Sequence, residues 1–87
     1  MVTVKHIVQV WYNGFVRYWC FDYSRKLVDV IDCVDGVPQR NTDILYTFDD
    51  ILPVELFHAC TRDKYKYLLR CEYTSQRIYE KLIAEVK

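Results

Sequence analysis

The chemistry open to this chain is bounded first by its histidines, cysteines and glycines. Four cysteines and two histidines suffice in number for one zinc site, and His58 stands two residues from Cys60, a base near a nucleophile. Spacing argues against both uses. Residues two apart on a helix point in different directions, which places His58 poorly to take a proton from Cys60. Structural zinc sites draw paired ligands two to four residues apart, and the chain has no Cys-x-x-Cys. Cys20, Cys33, Cys60 and Cys71 are therefore expected as dispersed free thiols that pack as small hydrophobes in a reducing compartment, with no disulfide. Only two glycines are present, Gly14 and Gly36, both in apparent turns, so neither a phosphate-cradling loop nor a dinucleotide fingerprint can be built. Asp29, Asp32 and Asp35 recur at intervals of three, whereas a calcium loop needs ligands at alternate positions closed by a glutamate. The expectation is a chain that is not an enzyme and carries no cofactor or metal.

Binding chemistry is better represented. Aromatic residues make up 16% of the chain, more than one sheet face and one helix stripe can bury, and Trp11, Tyr18, Tyr65 and Tyr67 are expected near the surface. Tyrosine and tryptophan give large contact area with few rotatable bonds and one polar handle, which suits an interface. Between residues 22 and 55 eight acids stand against Arg25, Lys26 and Arg40, so Asp29, Asp32 and Asp35 are read with those aromatics as an acidic, aromatic partner-binding surface. The sign reverses toward the C-terminus. On a continuous helix Arg62, Lys66, Arg70, Arg77 and Lys81 would fall within about 100° of arc, a basic stripe able to track phosphates, with Tyr73 among them to stack on a base.

These side chains need elements to position them. Asn13-Gly14 lies between two segments rich in β-branched and aromatic residues, the preferred pair for a two-residue type I′ hairpin turn. The turn predicts a register in which Tyr12 faces Phe15, Val10 faces Arg17, Val8 faces Trp19, His6 faces Phe21 and Val4 faces Tyr23, all on one apolar face. The other face pairs Trp11 with Val16, Gln9 with Tyr18, Ile7 with Cys20 and Lys5 with Asp22, the last an opposite-charge pair worth about 0.2–1 kcal/mol. Ser24-Arg25-Lys26 connects to a third strand over residues 27–34, favoured by its β-branched content although its apolar spacing also fits a helix. Asp35-Gly36 marks a turn, and Pro38 confines the next segment to an edge or loop. Residues 39–43 read as loop and 44–48 as a short fourth strand.

A helix is expected from about residue 50 to 60, with Asp49-Asp50 at its N-terminal dipole. A second would run from residue 61 or 63 toward Val86, with Leu68, Ser75, Tyr79, Leu82, Ile83 and Val86 on one side at about 100° per residue. Thr74-Ser75 could interrupt it. Together these elements predict an α+β fold class: a small antiparallel sheet of three to four strands, opened by the N-terminal hairpin, with C-terminal helices covering the face of Val4, Val8, Val10, Trp19 and Phe21.

With 87 residues, one domain spanning 1–87 is expected, since two separate cores could not be filled. Hydrophobic residues are 52% and charged residues 28%, ample to fold, and the formal net charge of zero steers the chain toward neither nucleic acid nor an anionic membrane. Lys5, His6 and Gln9 interrupt the first apolar run, so export is not expected, and no stretch nears the roughly 20 apolar residues of a membrane span. The chain is accordingly expected to be a cytoplasmic, non-enzymatic protein-binding module acting through the aromatic and acidic surface. Its size and composition suit a viral or phage-encoded inhibitor of a host protein, acting in the host cytoplasm. The alternative is a nucleic-acid-binding domain using the basic stripe. An unpaired strand edge could also join a second copy into a homo-oligomer.

Overall fold

The computed structural model describes residues 3–47, 66–69 and 72–86. Asn13-Gly14 joins β1 (His6–Tyr12) to β2 (Phe15–Phe21), and the observed pairs run from Tyr12↔Phe15 to His6↔Phe21 in the predicted register. The turn type differs from the expectation. Gly14 has a φ of 98° while Asn13 is not in the positive region, the pattern of a type II turn. The type I′ pattern occurs instead at Asp35 and Gly36, with φ of 53° and 77°, which join β3 (Leu27–Val34) to β4 (Val37–Arg40). Aspartate tolerates the left-handed region better than most side chains do.

The fold is α+β. Its sheet has five strands in the order β4-β3-β2-β1-β5, every pairing antiparallel, with β5 (Lys66–Leu69) added beside β1. The expected short strand at 44–48 is not formed. Its residues up to 47 belong to a helix, α1 (Thr42–Thr47), and the fourth strand lies earlier. Asn41 explains the change: its Oδ1 accepts the Ile44 N–H at 3.1 Å, an N-cap three residues ahead, and Asp43 lies in the first turn where the helix dipole favours an acid. Pro38 does lie in an edge strand. Val34 and Val37 close a two-residue loop, so Pro38, opposite Cys33, falls at a non-hydrogen-bonded position with its nitrogen facing outward. The missing donor therefore blunts the open edge and spares the ladder.

No continuous helix runs from residue 61 or 63. Residues 66–69 form β5, and the terminal helix, α2, spans Glu72–Glu85. Leu68 accordingly stands opposite Val8 in the sheet. Of the rest of the expected stripe, Ser75 and Tyr79 are buried and Leu82 and Ile83 pack alongside, joined by Ile78, while Val86 is half-buried outside that cluster. The helix expected at 50–60 lies outside the described residues.

Two layers flank the sheet. On the face predicted to be the core, Val8, Val10, Trp19, Phe21, Leu27 and Val30 are buried, and α1 packs Ile44 and Leu45 there. The C-terminal helix covers the opposite face, where Val4, Ile7, Cys20, Ile31 and Tyr79 cluster with Tyr18 and Val28 at their rim. This corrects the expected placement. The face of Ile7 and Cys20 reads as mixed along β1 and β2 alone, but β3 adds Ile31 and Val28 to it.

Val4 also lies on the α2 side instead of with Val8 and Val10. The Lys5 N–H donates to the carbonyl of Phe21 at 2.8 Å, although Phe21 is already opposite His6. Two residues thus oppose one, as in a bulge, and everything N-terminal to it changes face. The expected Val4–Tyr23 and Lys5–Asp22 pairs are lost with it. Asp22 instead turns its Oδ1 into the next turn, accepting the N–H groups of Ser24 and Lys26 at 2.9 and 3.0 Å and the Ser24 hydroxyl at 2.7 Å. Burial alone would raise the Asp22 carboxyl, but these hydrogen bonds together hold it below its ordinary value. A second shift, between Cys20 and Phe21, lets Leu27 oppose Phe21 after Asp29 opposes Cys20.

Candidate functional site

Both two-residue turns, Asn13-Gly14 and Asp35-Gly36, lie at one end of the sheet, and the register places one row of side chains just beneath them. Tyr12 faces Phe15, Phe15 faces Val34 and Val34 faces Val37, a line across four strands on the α1 side. On the other side the neighbouring residue Trp11 opens the equivalent row. Among the sheet residues whose burial is described, these are the least covered apolar ones: Trp11 is 47% exposed, Tyr12 40%, Val34 44% and Val37 37%. Ile44 and Leu45 reach the cluster of Val8, Val10 and Trp19, further down the strands.

One row in, Arg17 braces this end. It pairs with Asp32 across the ladder, its Nε 2.7 Å from Oδ1 and its Nη2 3.2 Å from Oδ2, with both side chains largely buried. Its guanidinium carbon lies 5.2, 5.3 and 5.4 Å from the rings of Tyr12, Phe15 and Trp19. Tyr12 and Phe15 stack with centroids 4.9 Å apart and planes 14° from parallel. The Asp32 hydrogen bond raises the Arg17 pKa against an opposing desolvation, so the cation is permanent. A planar cation among aromatic faces, with its carboxylate fixed in two-point geometry, restricts the Tyr12 and Phe15 rings.

The three spaced aspartates do not form one acidic surface. Asp29 is buried on the α2 side, where Oδ2 accepts the Tyr79 hydroxyl at 2.8 Å and the Arg40 Nε at 3.1 Å, while Oδ1 accepts the Val30 N–H at 2.9 Å. Asp32 lies on the α1 side, engaged by Arg17 and, at 2.9 Å, by Asn41 Nδ2. Only Asp35 is exposed, in its turn. Strand alternation sends successive odd and even positions to opposite faces, so a spacing of three cannot keep them together. Tyr79 is pushed up to about 12, by burial first and then by its bond to Asp29.

Among the expected aromatics, Trp11 is exposed, in line with the expectation. Tyr18 is half-buried beneath α2's cluster, its hydroxyl accepting Gln9 Nε2 at 3.0 Å. Tyr67 stands opposite Gln9 on β5, and Tyr65 lies outside the described residues. Of the basic residues, Lys66 stands opposite Val10 on a strand and cannot share a helix stripe with Arg77 and Lys81. Arg62 and Arg70 lie outside the described residues. Arg77 and Lys81 remain as an exposed pair beside Tyr73 on α2, along a shallow depression of about 360 Å³ that Thr74 and Ile78 also line. Arg77 is parked on Tyr73, its Nη1 3.2 Å from the hydroxyl.

Cys20 is buried and Cys33 half-buried, both as free thiols, and burial raises both, Cys20 strongly. Neither is poised as a nucleophile. His58, Cys60 and Cys71 lie outside the described residues. No three metal-ligating side chains cluster among the described residues, and no helix among them is long and apolar enough to cross a membrane.

Sequence reasoning missed Tyr12, Val34 and Val37 as exposed residues, and Phe15 and Arg17 as the half-buried side chains beside them. The available signal was that two two-residue turns separated by one reversal must lie at the same sheet end, which aligns their flanking residues in one row. No protein-family model matches the chain, and neither a curated protein nor a solved structure matches it, so the geometry of this sheet end carries the functional reading alone.

Proposed function

We propose that the chain is a small, non-enzymatic protein-binding module that engages its partner through the turn end of its sheet. The observation that carries this is the row of exposed Tyr12, Val34 and Val37 with half-buried Phe15 among them, Trp11 exposed on the reverse face, and Arg17 bracing the rings. Contiguous exposed apolar surface on a small domain marks an interaction site, and aromatic and arginine side chains dominate interface energetics. Bracing lowers the ordering entropy that binding must offset. Asp35 is the acidic member of this surface; Asp29 and Asp32 serve it by holding the sheet and Arg17. A role as a viral or phage-encoded inhibitor of a host protein in the host cytoplasm fits the size and composition.

The test is capture of a partner from native host extract by wild-type protein and by Trp11→Ala, Tyr12→Ala and a paired Arg77→Ala, Lys81→Ala variant, each first shown to be folded. The expected result is a specific partner lost with the tip variants and kept by the helix variant. Retention by the tip variants with loss in the helix variant would move the site to α2. Binding of generic RNA or DNA that falls steeply with salt would favour a nucleic-acid role.

A further inference from the structure

The chain has two asparagines, and their side-chain amides are in opposite situations. Asn41 is held at both ends: Nδ2 donates to Asp32 at 2.9 Å and Oδ1 accepts the Ile44 N–H at 3.1 Å. Its successor, Thr42, is β-branched and opens α1. Asn13 is exposed at the hairpin tip, with no hydrogen bond from its amide to any described residue. Its successor is Gly14, where even an added Cβ would meet nothing within 4 Å. In a two-residue loop closed by Tyr12 and Phe15, the Gly14 N–H also lies outside the ladder.

We propose that Asn13 is a spontaneous modification site, losing its amide through a cyclic imide formed with Gly14. The Gly14 backbone nitrogen gives up its proton and attacks Asn13 Cγ; a C–N bond forms, and the side-chain nitrogen leaves as ammonia. Water then adds to either imide carbonyl and one C–N bond breaks, giving aspartate or, by the other route, isoaspartate. One water is consumed and one ammonia released, with no change of oxidation state. Glycine permits this because no side chain shields the attacking nitrogen and its backbone moves freely. A bulkier successor and an anchored amide, as at Asn41, oppose both requirements.

Either product alters the proposed binding surface. Aspartate adds a negative charge beside the Tyr12–Phe15 stack, and isoaspartate lengthens the backbone of a two-residue loop on which the Tyr12↔Phe15 register depends. The chemistry is independent of the proposed binding role, since its readout needs no partner.

The test is to incubate the intact, folded protein at mildly alkaline pH and digest it with trypsin at intervals. The peptide spanning residues 6–17 is expected to gain about one dalton and split into two isobaric products, while the peptide spanning residues 41–62 keeps its mass. An Asn13→Gln variant, in which attack would close a less favourable six-membered ring, is expected to show no gain in the first peptide. The proposal is overturned if the folded protein keeps the Asn13 amide over an interval in which a free peptide of residues 6–17 loses it. A gain of equal size in Asn13→Gln would overturn it as well.

Discussion

Strand β2 has a phenylalanine at each end, and the two have opposite surroundings. Phe21 is fully buried between Val8, Leu27 and Val30 beneath α1, whereas Phe15 is only half-buried, in the exposed row under the turns. Both are on the same face of the same strand. Ile44 and Leu45 of α1 pack on the cluster that holds Phe21, and Phe15 lies outside that cluster. The two regions also use a carboxylate and an arginine differently: Asp29 and Arg40 tie the sheet to Tyr79 of α2, while Asp32 and Arg17 stiffen an open surface. The closed end is buried and tied to α2, whereas the open end leaves Tyr12, Val34 and Val37 exposed.

The comparison breaks if the two phenylalanines prove equivalent. Phe21→Ala is expected to lose about 4 kcal/mol in urea unfolding, the range for a large aromatic removed from a core. Phe15→Ala is expected to lose about 1 kcal/mol, since its surface is already partly hydrated. Similar losses for both would mean that the turn end is core. Next in size, Asp29→Ala strands the buried Tyr79 hydroxyl and removes the Arg40 partner, and is expected to cost about 2–3 kcal/mol. Tyr12→Ala should fall below that, with its main effect on binding.

Ser75 sharpens the contrast from the other side. Its Oγ is buried on α2 with no hydrogen-bond partner among the described residues. Ser75→Ala is therefore expected to stabilise the protein by about 1 kcal/mol, read as a higher urea midpoint at unchanged slope. A loss of stability would show that the hydroxyl is satisfied in solution.

A pH dependence is expected at Tyr79, confined to strongly alkaline solution. Its folded pKa is raised from an ordinary 10.0 to about 12, so the folded state holds its proton more tightly than the unfolded chain does. That contribution is fully present below pH 10 and is lost as pH rises toward 12. The fall in stability across this window is expected to be shallower in Tyr79→Phe than in wild type. Equal slopes would mean that Tyr79 is not its source.

Much of the sheet was legible in the chain because its signals are local. Asn13-Gly14 and the β-branched segments around it specify where β1 and β2 turn and pair, and Asp35-Gly36 ends β3 where the structure ends it. The helix stripe of Ser75, Tyr79, Leu82 and Ile83 was legible for the same reason, since a period of 3.6 residues is a property of the segment itself. Residues 66–69 were not, because an apolar stretch that continues a helical stripe also pairs well beside β1, and only the presence of that neighbour decides. Residues 44–47 show the same limit: an Asn41 cap outweighed β-branched and aromatic content.

The candidate site divides along the same line. Residue types and alternation determined by themselves that Tyr12 and Phe15 would be neighbours, that Trp11 would face away from them, and that Arg17 would lie one step inside. Which of these meet solvent was decided only by tertiary structure. Exposure depends on where α1 and α2 end over the sheet, and on a bulge at Lys5 that moves Val4 to the other face. Pairing rules act between adjacent residues and strands, whereas coverage depends on distances between elements far apart in the chain, which no local pattern encodes.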